Sequence, residues 1–178
     1  MQKNKRMMTT KTMVYCALLA ALSVVLARLF SIMPEESARF SIESVPIFIA
    51  GMLFGPVAGG MVGFTADFVG CMFSPFGYNP IFCIPPILYG LCGGLFRPML
   101  KKTEIWRIAL AFLPAIVIGS IFIQSGALAI AFGGEAKEAY FYVKLTERSI
   151  QFAVTYVLDV AIVYLLAKSP VFAKAGLR

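Results

Sequence analysis

The sequence has 178 residues, of which 60% are hydrophobic and only 14% are charged, and its net charge is +7. Soluble domains carry about 25% charged residues and less than half apolar ones, so this composition excludes a soluble or a disordered protein. It predicts a polytopic helical membrane protein, because helices satisfy their own backbone hydrogen bonds inside a bilayer.

Several kinds of chemistry are excluded by the residue types that are missing. The chain has no histidine, which removes histidine-based zinc sites and Ser-His-Asp triads. Its four cysteines show no Cys-x-x-Cys spacing. We therefore predict no metal site, no catalytic residues and no cofactor. Whether Cys71 and Cys83 pair with each other is left open.

Six apolar segments follow one another along the chain, separated by short polar stretches. We predict an all-α fold in a single membrane domain, residues 1–178, with helices at about 12–33, 43–55, 56–74, 80–97, 107–132 and 144–168. The first apolar run has about twenty residues and is longer than the core of a signal peptide, so we expect it to remain as the first membrane helix.

The apolar stretch 45–73 decides the number of helices. As one span it gives five helices, and as a short hairpin broken at Gly55-Pro56 it gives six. Cytoplasmic loops collect Lys and Arg. Six helices place the N-terminus, the basic loop 97–107 and the C-terminus on one side, whereas five place the basic loops on opposite sides. We therefore predict six helices with both termini in the cytoplasm.

Small residues recur at every fourth position in this stretch, at Gly51, Gly55, Gly59 and Gly63. This spacing lets helix backbones approach closely. The glycines therefore indicate either internal packing of the hairpin or an interface with a partner helix.

Three ionisable residues fall inside predicted membrane spans, namely Arg28, Asp67 and Asp159. Charged side chains are costly in a bilayer, so each of them is a candidate for a functional site. The alternative for each is an internal ion pair that fixes the packing of two helices.

A polar stripe marks the start of the last helix. Lys144, Arg148, Gln151 and Thr155 are spaced four, three and four residues apart and share one helix face. Gln124, Asn79, Tyr78 and Phe40 add hydrogen-bonding and aromatic groups on the same predicted outer side. Together these groups predict an outward-facing cavity for a flat heteroaromatic ligand with ring N–H donors and an anionic tail.

The segment 39–70, RFSIESVPIFIAGMLFGPVAGGMVGFTADFVG, and the following SPFGYNPIFCIPPILYGLCGG resemble the S components of energy-coupling factor (ECF) vitamin transporters. Within that family the chain is most similar to the folate-specific members. The resemblance implies a six-helix protein of the bacterial cell membrane that binds a vitamin from the outer side. It also implies partners, namely a membrane scaffold subunit and two ATP-binding subunits. This chain carries no Walker A motif, so ATP hydrolysis would be supplied by those partners.

The resemblance further implies roles for individual residues. Asp67 is expected to bind the pterin, and Tyr78, Phe40 or Phe76 to cover it. Arg148, Lys144 or Arg28 are expected to meet the glutamate tail, with Asn79, Gln151 and Gln124 as neutral contacts. Ala17 and Ala21 match the family's Ala-x-x-x-Ala motif, which meets the scaffold subunit. The polar loop 34–44 is expected to act as a lid.

Three other functions stay open. An S component for another vitamin such as riboflavin is the nearest alternative, and binding of that vitamin but not folate would identify it. A free-standing small secondary transporter would transport without an ATP-binding partner. An intramembrane enzyme would need a base other than histidine and would turn over an added substrate.

Overall fold

The computed structural model describes residues 9–29, 32–35, 38–40, 42–73, 78–100, 104–134 and 136–169. The α-helices are α1 Thr10–Leu29, α2 Ser44–Phe54, α3 Pro56–Met72, α4 Ile84–Leu95, α5 Arg97–Leu100, α6 Ile105–Pro114, α7 Gln124–Phe132 and α8 Lys137–Lys168. A 3-10 helix, Pro80–Cys83, leads into α4, and a π-helical segment, Ala115–Ile123, joins α6 to α7. The strands are β1 Ile32–Glu35 and β2 Ala38–Phe40.

Six helical segments of the described chain are apolar enough to lie in a membrane, and they fall into two length classes. Thr10–Arg28, Ile105–Phe132 and Lys137–Lys168 are long enough to cross it, whereas Ser44–Phe54, Pro56–Met72 and Pro80–Leu95 are shorter. A full crossing needs about 20 residues. By length and composition the three long segments are candidate membrane spans, and the three short ones lie below that length.

The connection from α1 to α2 contains a short β-hairpin that the predicted helix bounds do not include, while the rest of the described fold is helical, as predicted. The helix expected to reach residue 33 ends at Leu29, and β1 pairs with β2 in an antiparallel hairpin, with Ile32 opposite Phe40. The physical reason lies at Pro34, which has no backbone N–H to donate and disfavours the helical conformation of the residue before it. The apolar run of the sequence continues past Leu29 to Met33 and so does not reveal where the helix ends.

The turn between α2 and α3 is built by one glycine and one proline. Gly55 has a φ of 101°, a region in which only glycine is relaxed, and its N–H donates to the Gly51 carbonyl at 2.8 Å. Pro56 occupies the first turn of α3, where a missing N–H costs nothing. The chain therefore reverses within one residue, and α2 and α3 lie side by side.

The recurring glycines serve internal packing among α2, α3 and α4. A Cβ atom on Gly51 or on Gly59 would overlap the carbonyl oxygen of Gly90, and a Cβ on Gly90 would overlap the backbone of Gly59. The three helices thus meet backbone to backbone at this point. Close approach of this kind replaces the hydrophobic driving force, which is absent between helices in lipid.

Aromatic and hydroxyl side chains join this trio to the rest of the bundle. The rings of Phe48 and Phe112 stack with their centroids 3.9 Å apart. The hydroxyls of Tyr89 and Ser120 lie 2.8 Å apart in the interior. The Tyr156 hydroxyl donates to the Ala109 carbonyl at 2.9 Å, which fixes α8 on α6. The two hydroxyl contacts satisfy polar groups that could find no partner in lipid.

The last helix starts earlier than the predicted residue 144. α8 begins at Lys137 and has 32 residues, a length of about 48 Å against a hydrocarbon core of about 30 Å. Its first turn carries Glu138, which favours a helix N-terminus electrostatically. Hydropathy identifies the long apolar run of a helix. It does not identify the first turns of α8, where Lys137, Glu138 and Lys144 flank the aromatic residues.

Candidate ligand-binding site

A column of polar side chains runs along the buried face of α8. Its members and their exposed fractions are Lys144 9%, Arg148 7%, Gln151 4%, Thr155 5% and Asp159 0%. The other side of the helix presents Tyr142, Val143, Ile150, Val154 and Val157, all at least half exposed. The polar face therefore points into the bundle, where α8 packs against α2, α6, α7, the π-helical segment and β2.

Two cations occupy the end of this column nearest the start of α8. The Lys144 ammonium forms an ion pair with Glu147 and lies 5.7 Å from the centre of the Tyr140 ring. The Arg148 guanidinium lies 5.8 Å from the centre of the Phe152 ring, and its Nε is buried with no hydrogen-bond partner. Stacking leaves the hydrogen-bonding edge of a guanidinium available for a carboxylate.

An acid occupies the other end of the column. Asp159 is fully buried, and its Oδ2 accepts a hydrogen bond from the Ser44 hydroxyl at the first residue of α2. Its second oxygen, Oδ1, is buried without a hydrogen-bond partner. Sequence reasoning treats Ser44 only as the edge of a loop, since nothing local in the sequence joins it to a residue 115 positions away.

A second polar group lies where α3 ends and the 3-10 helix begins. Asp67 accepts a weak hydrogen bond from Cys71 at 3.8 Å and also interacts with Cys83 and Tyr78. The Tyr78 ring packs edge-on against Phe68, with centroids 5.3 Å apart. This group is local to two consecutive elements, and Asp67 itself is only partly buried.

Asn79 has a structural task in this region. Its side-chain oxygen accepts a hydrogen bond from the Ile81 N–H at 3.1 Å and so caps the 3-10 helix. The 3-10 helix packs on α3, α4 and α7, and α7 packs along α8. The α7 helix thus connects the Asp67 group to the polar column.

The remaining predicted site residues have varied surroundings. Arg28 donates a hydrogen bond to the backbone carbonyl of Gly70 and thereby joins α1 to α3. Gln124 is the half-buried first residue of α7. The backbone of Phe40 closes β2, which packs on α8, whereas its side chain and the whole of Phe76 lie outside the described residues.

Several buried polar atoms of the described chain have no hydrogen-bond partner, namely Arg28 Nε, Ser125 Oγ, Arg148 Nε and Asp159 Oδ1. Buried polar groups are nearly always satisfied, so each such atom needs an explanation. Two of the four belong to the α8 column and a third, on Ser125, to the helix packed along it. The arrangement can therefore receive a polar ligand that supplies the missing partners.

The cysteines and acids give no sign of other chemistry. All four cysteines are free thiols. Within the described ranges, no group of three or more Cys, Asp and Glu side chains could hold a metal ion. The site's described side chains are hydrogen-bonding, cationic, carboxylate and aromatic groups.

Comparisons with known proteins give the site a context. Residues 7–168 match a family model described as ECF-type riboflavin transporter, S component. The chain is 30% identical over 149 residues to the folate transporter FolT of Clostridium novyi (strain NT), an alignment that covers 83% of this chain and 85% of the relative.

Solved structures resemble the fold closely. A crystal structure of FolT bound with folic acid matches with a TM-score of 0.75 at 27% identity and covers 89% of this chain and 93% of that one. The S component for biotin from an ECF-type ABC transporter matches with a TM-score of 0.59 at 19% identity and 95% coverage of both chains. At that identity the second likeness shows the fold alone.

Proposed function

This chain belongs to the family of ECF-type S components, and we propose that it is a folate-binding member that captures the vitamin at the outer face of a bacterial cell membrane. Its long apolar helices suit a membrane protein. The proposal draws on the similarity to FolT over most of the chain and on the chemistry of the α8 column.

The observation that carries the proposal is the pair of cations buried on the inward face of α8. Lys144 and Arg148 lie at 9% and 7% exposure, one turn apart. Burying such groups is costly unless something of opposite charge repays the cost. Glu147 offsets the charge of Lys144, and the carboxylates of a glutamate tail fit the Arg148 edge in the bidentate way that guanidinium favours.

The other end of the ligand needs an acceptor. A pterin presents an amino group and a ring N–H side by side, and a carboxylate can accept from both. The described residues offer two carboxylates inside apolar helices, Asp67 and Asp159. Tyr78 supplies an aromatic face, and Gln151, Gln124 and the side-chain NH2 of Asn79 supply neutral hydrogen bonds. Arg28 is assigned to holding α1 on α3 through the Gly70 carbonyl.

The proposed topology has six membrane segments and both termini in the cytoplasm. The basic residues of the N-terminus, of the loop 97–107 and of the C-terminus then share the cytoplasmic side, as the positive-inside bias requires. α8 runs inward in this arrangement, so Lys144 lies near the outer surface and Asp159 lies deeper. The ligand therefore enters with its heterocycle first and its tail last.

Import is proposed to depend on a membrane scaffold and two ATP-binding subunits, because the chain has no phosphate-binding loop of its own. Ala17 and Ala21 are exposed on α1. Small exposed residues at this spacing let a partner helix approach closely. They form the proposed docking face for the scaffold.

The direct experiment is a calorimetric titration of the purified full-length chain in detergent with folic acid. Riboflavin and thiamine serve as control ligands, since both are heterocyclic vitamins without a carboxylate tail. The proposal expects one folate per chain, no binding of the controls, and loss of affinity in Arg148→Met. A folded chain that binds no folate would overturn it.

Riboflavin is the second candidate, favoured by one observation: the matching family model is described as a riboflavin S component. Riboflavin carries no carboxylate tail, so it gives Arg148 no anionic partner. In the same titration, riboflavin binding that is insensitive to Arg148→Met would select this candidate over folate.

A further inference from the structure

We infer that the carboxylate of Asp159, oriented by Ser44, rather than that of Asp67, accepts the hydrogen bonds of the ligand's amino-heterocycle at the deep end of the α8 column. This inference rests on the proposed folate-binding function. It assigns a ligand-binding role to Ser44, which the sequence pattern does not place at the site, and to Asp159, which the sequence offers as a candidate without a stated ligand contact.

One carboxylate oxygen of Asp159 is buried and unsatisfied. Oδ2 of Asp159 has the Ser44 hydroxyl, but Oδ1 is buried and has no hydrogen-bond partner. An unsatisfied buried carboxylate oxygen is more costly than an unsatisfied neutral group. A ligand N–H that reaches Oδ1 would remove this cost on binding. The unpaired acceptor therefore contributes affinity for a ligand that donates, and none for one that does not.

The charged side chains on the buried face of α8 follow one another in the same order as the polar groups of folate. Arg148 and Asp159 share one buried face and are eleven residues apart, a rise of about 16 Å, and Lys144 lies about 22 Å from Asp159. Extended folate has ring N–H donors at one end and carboxylates at the other, and the aminobenzoyl group between them makes the molecule long enough for its two ends to reach both side chains. The column thus matches the ligand in both the order and the spacing of its charges.

α2 begins at the depth of Asp159, because Ser44 is its first residue and donates a hydrogen bond to that carboxylate. In the proposed topology α2 and α8 both run inward, so the part of α8 before Asp159 lies outward of the start of α2. α8 also packs against α7 and β2. The Ser44–Asp159 pair therefore forms a floor on which a ligand lying along the column can rest. Because Asp159 has no exposed surface, the side chains over Oδ1 must move as the ligand enters.

Asp67 fits the same role less well. It is partly exposed and already interacts with Cys71, Cys83 and Tyr78. It lies in α3 among residues of its own turn and of the adjacent 3-10 helix. Its surroundings hold the end of α3 against the 3-10 helix.

The test compares variants and ligand fragments by titration in detergent. Folic acid is compared with p-aminobenzoyl-glutamate, which lacks the heterocycle, and with 2-desamino-folic acid, which lacks the amino donor. The variants are Asp159→Asn and Asp67→Asn. Glu138→Gln on the exposed first turn of α8 is the matched carboxylate-to-amide control. Folate binding by the unaltered chain is established first, and its failure would count against the proposed function itself.

We expect Asp159→Asn to weaken folate binding by about ten- to hundredfold, the value of a hydrogen bond to a charged group, and to leave p-aminobenzoyl-glutamate unaffected. Removing the ligand's amino group should then cost little in the variant, although it costs affinity in the unaltered chain. Unchanged folate affinity in Asp159→Asn, or a larger loss in Asp67→Asn, would overturn the inference.

A second variant keeps the test decisive if Asp159→Asn does not fold. Ser44→Ala removes only the hydroxyl that orients the carboxylate. We expect a loss of folate affinity of up to about tenfold, again with p-aminobenzoyl-glutamate unaffected. An equal loss for both ligands would indicate a general effect on folding and would contradict the specific role in heterocycle binding.

Discussion

The guanidinium of Arg28, near the end of α1, donates a hydrogen bond to the backbone carbonyl of Gly70, near the end of α3. Gly70 is buried, and a Cβ at this position would lie 3.6 Å from the guanidinium. The bond joins two helices that are separated in the chain by the β-hairpin and α2. Arg28, which the sequence analysis predicts as a ligand contact, thus supports the packing of α1 on α3.

Replacing Arg28 should therefore affect stability more than binding. Arg28→Met is expected to lower the free energy of unfolding by about 1–3 kcal/mol, because the Gly70 carbonyl loses a charged donor. Thermal unfolding in detergent without ligand measures it. Arg107→Met, which breaks an exposed ion pair with Glu104, is the control and should change stability by less than about 1 kcal/mol. Lost folate affinity in Arg28→Met with unchanged unfolding would contradict this assignment.

Arg148 should act in the opposite way. Arg148→Met removes the cation proposed for the glutamate tail while keeping the apolar bulk of the side chain against Phe152. We expect an affinity loss of about 10- to 150-fold for folate and for p-aminobenzoyl-glutamate alike, since both carry the tail. Calorimetry of the two ligands measures it, with Arg107→Met again as the control. A loss confined to folate would place the guanidinium at the heterocycle instead.

Two glycines in helices offer a matched test of the packing. Gly90→Ala should destabilise the bundle by about 3 kcal/mol or prevent folding, because the added methyl overlaps the backbone of Gly59. Gly126→Ala, in α7, meets no atom within 4 Å and should stabilise by about 0.5–1 kcal/mol through helix propensity. Thermal unfolding of both variants is the measurement. Similar stabilities for the two would show that α3 and α4 do not pack as described.

The proposed scaffold-docking face separates binding from transport. Ala17→Leu combined with Ala21→Leu should leave folate affinity of the purified chain unchanged. It should abolish folate uptake in cells that also express the scaffold and ATP-binding subunits, because larger side chains keep the helices apart. Leu22→Phe, exposed on a different side of α1, is the control and should retain uptake. Normal uptake by the double variant would place the interface elsewhere.

Much of the architecture is predictable because it depends on local chemistry. Hydropathy identifies the apolar segments, and Gly55-Pro56 marks a chain reversal by the positive φ and missing N–H that those residue types allow. The i, i+4, i+7 spacing predicts that Lys144, Arg148 and Gln151 share a face, and all three are buried. The family resemblance drawn from residues 39–70 is confirmed by the family model and by FolT.

The rest depends on contacts between distant positions. The hydrogen bond from Ser44 to Asp159 spans 115 residues, and the one from Arg28 to Gly70 spans 42. No local sequence pattern predicts contacts over such separations. The apolar run before Pro34 continues past Leu29, so it does not show that the first helix ends there and that a β-hairpin begins at Ile32. Asn79 has the residue type of a ligand contact, but a local cap uses its side-chain oxygen.

Titration of the purified chain with folic acid, in competition with riboflavin and thiamine, is the most direct test of folate binding. We expect one tightly bound folate per chain, which neither competitor displaces and which Arg148→Met weakens. Binding of riboflavin in place of folate by the folded chain would contradict it, and would leave the S-component fold with a different vitamin.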